Sequence, residues 1–364
     1  MGQEKRKLAS PSSSGRIAYL HGPHDLRIAH EGVPSLRPDQ ILVRVRAAGI
    51  CGSDIECFEG TSGEGRYDLG PYTPGHEWSG EVVTTGTDVK SFAMGDKVTS
   101  DCVLQCFRCD NCKRGLMPAA CINLREVGFR PDSPGAWADY LTLEENYAHK
   151  LPSAWTFEEG ALVEPFSVAY YGVWGPGGWV DASDDVVIFG AGPIGLCAVA
   201  VCKTAGAKVI VVEPMAARRD LAIRLGADVT IDPAAGEVFL EEIARNAEAH
   251  RGPSLVIEAS GNDQAIAAVF EIAGYQPRVR LIGHSIGRKV PIEIGRALWR
   301  GMAIYGQGGI SSFTPRTIAF MERIRTRTDL MSIITHRLPF EDLREALDLA
   351  TKQKNEAGKV MLWF

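Results

Sequence analysis

Between Val186 and Cys202 the chain reads VVIFGAGPIGLCAVAVC, a charge-free run approaching the ~20 residues of a membrane-spanning helix. Gly192, Pro193 and Gly195 interrupt any single helix there, and Lys203 and Lys208 close the run. It therefore divides into a buried strand followed by a buried helix. At the join stands G-x-G-x-x-G, formed by Gly190, Gly192 and Gly195 with Pro193 and Ile194 inside it. Directly after a strand and directly opening a helix, this pattern signifies dinucleotide binding. The first glycine permits the tight turn and the second lets the backbone approach a pyrophosphate. The third lets helix and strand pack closely, while the helix N-terminus supplies partial positive charge. The next strand, "VIVVEP", ends on Glu213, placed to accept hydrogen bonds from the adenosine ribose, which favours NAD over NADP. Arg218 and Arg219 follow closely enough to stack on adenine or to meet a 2′-phosphate.

The surrounding texture extends this unit. "DDVVIFG", the Ala-rich helix, "AKVIVVEP", a helix from "MAARRDLAIRLG", "ADVTI", a helix near 237 to 248, "SLVIEAS", a further helix and "RVRLIGH" alternate as βαβαβ, hence a parallel doubly wound sheet. Up to about residue 155 the pattern differs: short β-like runs such as "QILVRVRAAGI" and "WSGEVVTTG" are separated by Gly, Pro and Asp, helices look scarce, and an antiparallel or mixed β domain is expected. The last fifty or so residues hold two amphipathic helices, the second in "PFEDLREALDLATKQ", and finish on the strand-like "KVMLWF". A length of 364 residues with 45% hydrophobic content suits two cores. The fold class is α/β.

With 39 basic against 45 acidic residues and no basic run beyond "EKRK", Glu4 to Lys7, no nucleic-acid surface is expected and small molecules are the default partners. The start "MGQEKRKLASPSSSG" lacks the apolar core of a signal peptide, which predicts a cytoplasmic chain with a loose N-terminus. In a reducing compartment nine cysteines point to metal ligation or chemistry rather than disulfides.

Four of them lie in "QCFRCDNCKRGLMPAAC" as C-x2-C-x2-C-x8-C: Cys106, Cys109, Cys112 and Cys121. Four thiolates in one loop suit a closed tetrahedral zinc site, which staples a loop and leaves no position for substrate. An iron–sulfur cluster is the rival, though no second cysteine group offers it an electron partner. "GICGSD" and "PGHEWSGEVVTTGTDV" add a cysteine at Cys51 and the pair His76 and Glu77, which alone would read as buried residues.

Together these stretches resemble the zinc-containing medium-chain dehydrogenase/reductase family. Its signature G-H-E-x2-G-x5-G-x2-V is met by Gly75, His76, Glu77, Gly80, Gly86 and Val89. The four-cysteine lobe, the glycine motif and the C-terminal "GKVMLWF" follow in the family's order. "GALVEPFSVAYYG", with Glu164 where ethanol-type members carry a cysteine, resembles the polyol branch typified by sorbitol dehydrogenase and its threonine and sugar dehydrogenase relatives. The resemblance implies a GroES-like, mainly β catalytic domain of residues 1–160 and 311–364, with a structural-zinc lobe at about 100–122, and a Rossmann domain of residues 161–310. It implies two zinc ions per chain and a homotetramer or dimer. The catalytic zinc would be held by Cys51, His76 and Glu77 or Glu164, one carboxylate binding directly and the other through water or by exchange.

A catalytic zinc takes three protein ligands and leaves a position open, where its Lewis acidity makes a bound alcohol easier to deprotonate. The family's first proton acceptor is a hydroxyl two residues after the ligand cysteine, here Ser53, beginning a relay through the nicotinamide ribose. Many polyol members carry a histidine five residues after that cysteine; this chain has Glu56, which leans toward a sugar or polyol and away from ethanol. The last interval of the cysteine lobe, "KRGLMPAA", is one residue longer than the family's usual, which singles out Cys121 and leaves Cys102 as reserve ligand. The expected reaction is reversible oxidation of a secondary hydroxyl of a polyol, sugar or cyclitol to a ketone. An amino alcohol such as L-threonine or an aminocyclitol is the alternative within the class. A zinc-free reductase or a non-catalytic dinucleotide-binding protein would have no need to keep Cys51, His76, Glu77 and Glu164 together.

Overall fold

The computed structural model describes residues 13–62, 67–236, 238–247, 251–283, 289–307, 313–352 and 358–364. The basic run Glu4–Lys7 and the loose N-terminus expected around it lie outside these, apart from Ser13 onward.

Six parallel strands form one sheet, in the order Val229–Ile231, Lys208–Val212, Asp185–Phe189, Leu255–Glu258, Arg278–Leu281, Ala303–Gly306. Asp185–Phe189 is first in sequence and central in space, so the crossovers run to opposite sides of it and leave a crevice beyond its C-terminal end, where doubly wound sheets bind ligands. The uncharged run divides as expected. All five strand residues are buried, Gly192 caps the helix Pro193–Thr204, and Pro193 opens it where no amide hydrogen is needed. Leu196 through Cys202 are at most 1% exposed, which accounts for a helix without a polar face. Among the described residues no helix is long and apolar enough to cross a membrane. The helix expected near 237 to 248 spans Val238–Asn246.

The second sheet has seven strands. Gln40–Gly49 lies at its centre, pairing antiparallel with Trp78–Thr85, Tyr140–Glu144 and the C-terminal Lys359–Trp363. Lys97–Ser100 and Ala148–Lys150 extend one side, and Ile334–Pro339 pairs parallel with Lys359–Trp363 on the other. The end of the chain thus returns to the first half, bringing Lys359 beside Ile50.

Several elements were not anticipated, among them the helices Phe157–Ala161, Val163–Trp174 and Ile294–Arg300. The helix Gly52–Glu59 interrupts the β region: Asp54 accepts the Cys51 N–H at 2.9 Å to cap its start, and Gly60 ends it in the left-handed conformation at φ 73°. The edge strand Ala303–Gly306 is half exposed and too short to show an apolar period. One buried cluster, including Ala47, Leu151, Trp155, Met361 and the helix Pro193–Thr204, runs continuously between the two sheets.

Candidate active site and metal centres

The nucleotide crevice follows from the glycine turn. Gly190 has φ 92°, and a side-chain carbon on Gly195 would stand 1.9 Å from the Gly190 carbonyl oxygen, so only glycine brings helix and strand this close. Around Gly192 the space is open. The result is a cleft of about 680 Å³ between the two sheets, walled by Gly192, Pro193, Glu213 and Arg218 on one side and by Ile50, Gly52 and Val360 on the other. Ile194 and Gly195 belong to the first turn of the helix behind it.

Glu213 is buried at the end of its strand, and its carboxylate accepts the amide hydrogens of Ala191 at 2.8 Å and Met215 at 2.9 Å. These bonds tie the acid to the glycine turn, leaving further lone pairs for a ligand. Arg219 turns away from the cleft to the carbonyls of Glu213 and Pro214, each at 2.7 Å, and pairs with Asp232 at 3.1 Å. Arg218 is the arginine that faces the cleft. Burial lowers its guanidinium pKa, and Glu213 opposes that shift.

Beside the cleft is a cluster of donors, with His76 and Glu77 buried and Cys51, Cys102 and Glu164 partly so. Cys51 caps the helix Gly52–Glu59, His76 and Glu77 immediately precede the strand Trp78–Thr85, and Glu164 sits in the first turn of the helix Val163–Trp174. Ligating atoms of Cys51, His76 and Glu77 lie within 4.8 Å of one another, and so do those of His76, Cys102 and Glu164, so the imidazole is common to both sets. Cys102 thus gathers with His76 and Glu164 rather than with the four lobe sulfurs, for which the sequence held it in reserve. Its neighbour Asp101 is held by Thr314 and lies 3.1 Å from His149, and the Cys102 carbonyl accepts the Val127 N–H at 2.9 Å.

Two charged partners of the cluster escaped the sequence reading. Asp54 is 2% exposed, and its Oδ1 stands 3.6 Å from His76 Nδ1, charge beside the imidazole but beyond hydrogen-bond distance. Asp54 at the third helical position after Cys51, with Gly60 closing the helix, was the available signal. Lys359 Nζ donates to both Glu77 oxygens, 2.6 Å from Oε1, and to the Ile50 carbonyl at 3.0 Å. No local pattern links residues so far apart in sequence. A side-chain carbon on Gly49 would fall 2.2 Å from Glu77 Oε2, so glycine there makes room for the acid.

Burial pushes the Glu164 carboxyl up to about 7, reinforced by Glu77 and opposed by His76. Burial also disfavours a charged His76, yet Asp54, Cys102 and Cys51 outweigh it and the imidazole is raised above its ordinary value. Among the described residues the carboxyl groups of Asp54, Glu77 and Glu164 and the thiols of Cys51 and Cys102 gather around one imidazole and the Lys359 ammonium, a donor set that a divalent cation fits. Ser53 and Glu56 lie three apart on one face of the helix Gly52–Glu59, whose Gly52 and Ile55 wall the cleft.

In the lobe, the sulfurs of Cys106, Cys109, Cys112 and Cys121 all lie within 4.8 Å of one another. Sulfurs of Cys109 and Cys112 are 3.4 Å apart, Cys106 N–H donates to Cys121 Sγ at 3.3 Å, and Cys109 N–H to Cys106 Sγ at 3.4 Å. The Arg108 N–H, the Asn123 amide and further donors lower the Cys106 thiol to about 5. The extra residue before Cys121 is absorbed by a single 3-10 turn, Pro118–Ala120, closed by Cys121 N–H to the Pro118 carbonyl at 3.0 Å. Four converging sulfurs with inward backbone donors fit a closed metal site.

Two family models match, the alcohol dehydrogenase GroES-like domain over residues 37–153 and the zinc-binding dehydrogenase over residues 193–326. The scyllo-inosose 3-dehydrogenase of Thermotoga maritima is 34% identical, over 98% of this chain and 95% of its own. The sorbitol dehydrogenase of Bacillus subtilis is 29% identical over 96% and 97%. A protein of Sinorhizobium meliloti solved bound to NADP superposes with a TM-score of 0.85 at 28% identity, covering 97% of this chain and 100% of its own. A dinucleotide crevice beside this donor set, within sequence similarity that spans almost the whole chain, places this protein in the zinc-containing medium-chain dehydrogenase/reductase family, polyol branch, as a zinc-dependent alcohol dehydrogenase using a nicotinamide cofactor.

Proposed function

We propose that this chain oxidises a secondary hydroxyl of a polyol, sugar or cyclitol reversibly to a ketone, with NAD as acceptor and two zinc ions per chain. The observation that carries this reading is the convergence of Cys51, His76 and Glu77 beside the cleft, whose wall includes Ile50 and Gly52, the chain neighbours of Cys51. Bound there, zinc supplies Lewis acidity toward the substrate hydroxyl and the dinucleotide supplies the hydride acceptor.

The remaining work falls to side chains. Cys51 and His76 would hold the metal, with Asp54 the carboxylate that stands nearest the imidazole. Glu77 and Glu164 are the candidate oxygen ligands, and the contacts of Lys359 with both Glu77 oxygens favour Glu164 as the direct one. Ser53 receives the proton and Glu56, on the same helical face, carries it toward solvent. Gly190, Gly192, Pro193, Ile194 and Gly195 form the turn and helix start that face the pyrophosphate. Glu213 receives the adenosine ribose and Arg218 borders the adenine. Cys106, Cys109, Cys112 and Cys121 hold the second zinc as a staple.

The catalytic domain comprises residues 1–160 and 311–364 around the seven-stranded sheet, and the Rossmann domain residues 161–310. A homo-oligomeric, cytoplasmic enzyme completes the reading. The cyclitol named for the Thermotoga relative favours a ring substrate. Formation of reduced cofactor against a panel of cyclitols, linear polyols, sugars and amino alcohols, with NAD and with NADP, tests it. Turnover of a cyclitol or polyol with NAD is expected; turnover confined to amino alcohols, or to NADP, overturns the corresponding part.

A further inference from the structure

From sequence Cys102 is only a reserve ligand for the four-cysteine lobe, yet its sulfur, a His76 ring nitrogen and a Glu164 oxygen lie within 4.8 Å of one another. Two donors on one tetrahedral zinc stand about 3.3 to 3.8 Å apart, so side-chain adjustments of about 1 Å would bring all three onto one ion. His76 is at the same time within that distance of Cys51. Glu77 is the donor least free to join, because Lys359 engages both its oxygens.

The support of Cys102 is rigid. Asp101 is fixed through its carboxylate by Thr314 and His149, and the Cys102 carbonyl is bonded to Val127. Movement of the sulfur is therefore a rotation of the side chain about a fixed backbone, which suits a ligand that comes and goes. The same short segment continues into Cys106 of the lobe, so one chain passage serves both metals.

We propose that Cys102 is an exchangeable fourth protein donor to the catalytic metal. In the absence of substrate Cys51, His76, Glu164 and Cys102 would hold the ion, and Cys102 would yield its position when an alcohol enters. Taking up the position converts the thiol to thiolate and releases one proton; leaving it takes one proton back. A second sulfur closes the site with a soft ligand between turnovers and favours zinc over harder divalent cations. The inference rests on the reading that Cys51 and His76 hold the catalytic zinc.

The test uses the zinc-loaded enzyme without substrate. Alkylation by iodoacetamide, followed at Cys102 by peptide mass mapping, is expected to be at least about tenfold slower in the loaded than in the chelator-stripped protein, as for a thiol occupied by metal. Cys102→Ala and Cys102→Ser are expected to release one of two zinc ions to a chelator roughly ten- to hundredfold faster than the parent, with the other unaffected. Cobalt-exchanged Cys102→Ala should lose one thiolate's share of the sulfur-to-cobalt absorption. Thermal melting of both variants confirms that they are folded. If release rates and the cobalt spectrum match the parent while Cys51→Ser loses its metal, Cys102 is no donor and the reading of Cys51 stands. If neither substitution alters metal content or release, the catalytic zinc itself is misplaced and the inference falls with it.

Discussion

In the lobe, all four donors come from the single loop 106–121, a few residues apart, on a helix of one turn and a 3-10 turn. In the cluster beside the cleft they come from Cys51, His76 and Glu77, Cys102 and Glu164, carried by separate elements, with Lys359 arriving from the last strand. On the proposed reading the lobe would need its metal to organise short local structure, whereas the site beside the cleft is organised by two sheets and a shared core and can hold its donors apart. A local site folds around an ion, whereas a site assembled from distant elements can leave a coordination position for substrate.

Substitutions that separate the two sites sharpen this contrast. His76→Ala should lower kcat/KM by at least about a hundredfold, since even partners outside the ligand shell are worth ten- to hundredfold. It should leave cooperative unfolding in place, whereas Cys109→Ser should reveal itself first as a lowered melting temperature and proteolysis near residues 106–121. The reverse pattern would exchange the two assignments.

Lys359→Met leaves the Glu77 carboxylate buried without its cation, both side chains being at most 2% exposed, and should cost about 3–5 kcal/mol in denaturant unfolding. The double variant Lys359→Met with Glu77→Gln should recover most of that loss; additive losses would show that the pair is not coupled. Glu213→Ala should raise KM for NAD about tenfold, the loss of a hydrogen bond to a charged group, and narrow the preference over NADP. Unchanged kinetics with both cofactors would remove Glu213 from the site. The smallest effect is expected of Asn123→Ala, which deletes one 3.6 Å contact to Cys106 Sγ at an exposed position: within about 0.5 kcal/mol in stability, and no change in turnover.

What could be read from sequence follows the same division. The glycine turn and the four-cysteine spacing declare themselves because their chemistry is local: strand, turn and helix in one case, thiols at short intervals in the other. Cys51, His76, Glu77 and Glu164 are unremarkable singly and came to notice through family resemblance. Asp54, Lys359 and the placement of Cys102 were not legible, because each depends on a pairing made by the tertiary fold. Glu77 meets Lys359 where the last strand lies against Gln40–Gly49, and Cys102 meets His76 across elements far apart in sequence. The helix Gly52–Glu59 carried its own signals in Asp54 and Gly60, yet it lay among β-like runs that masked them.

The central claim is that two zinc sites divide their duties, and zinc content measured beside activity tests it most directly. The parent chain should hold two zinc ions, and Cys51→Ser should hold one, remain folded and lose turnover. A parent chain with a single zinc that Cys51→Ser leaves in place would contradict the account.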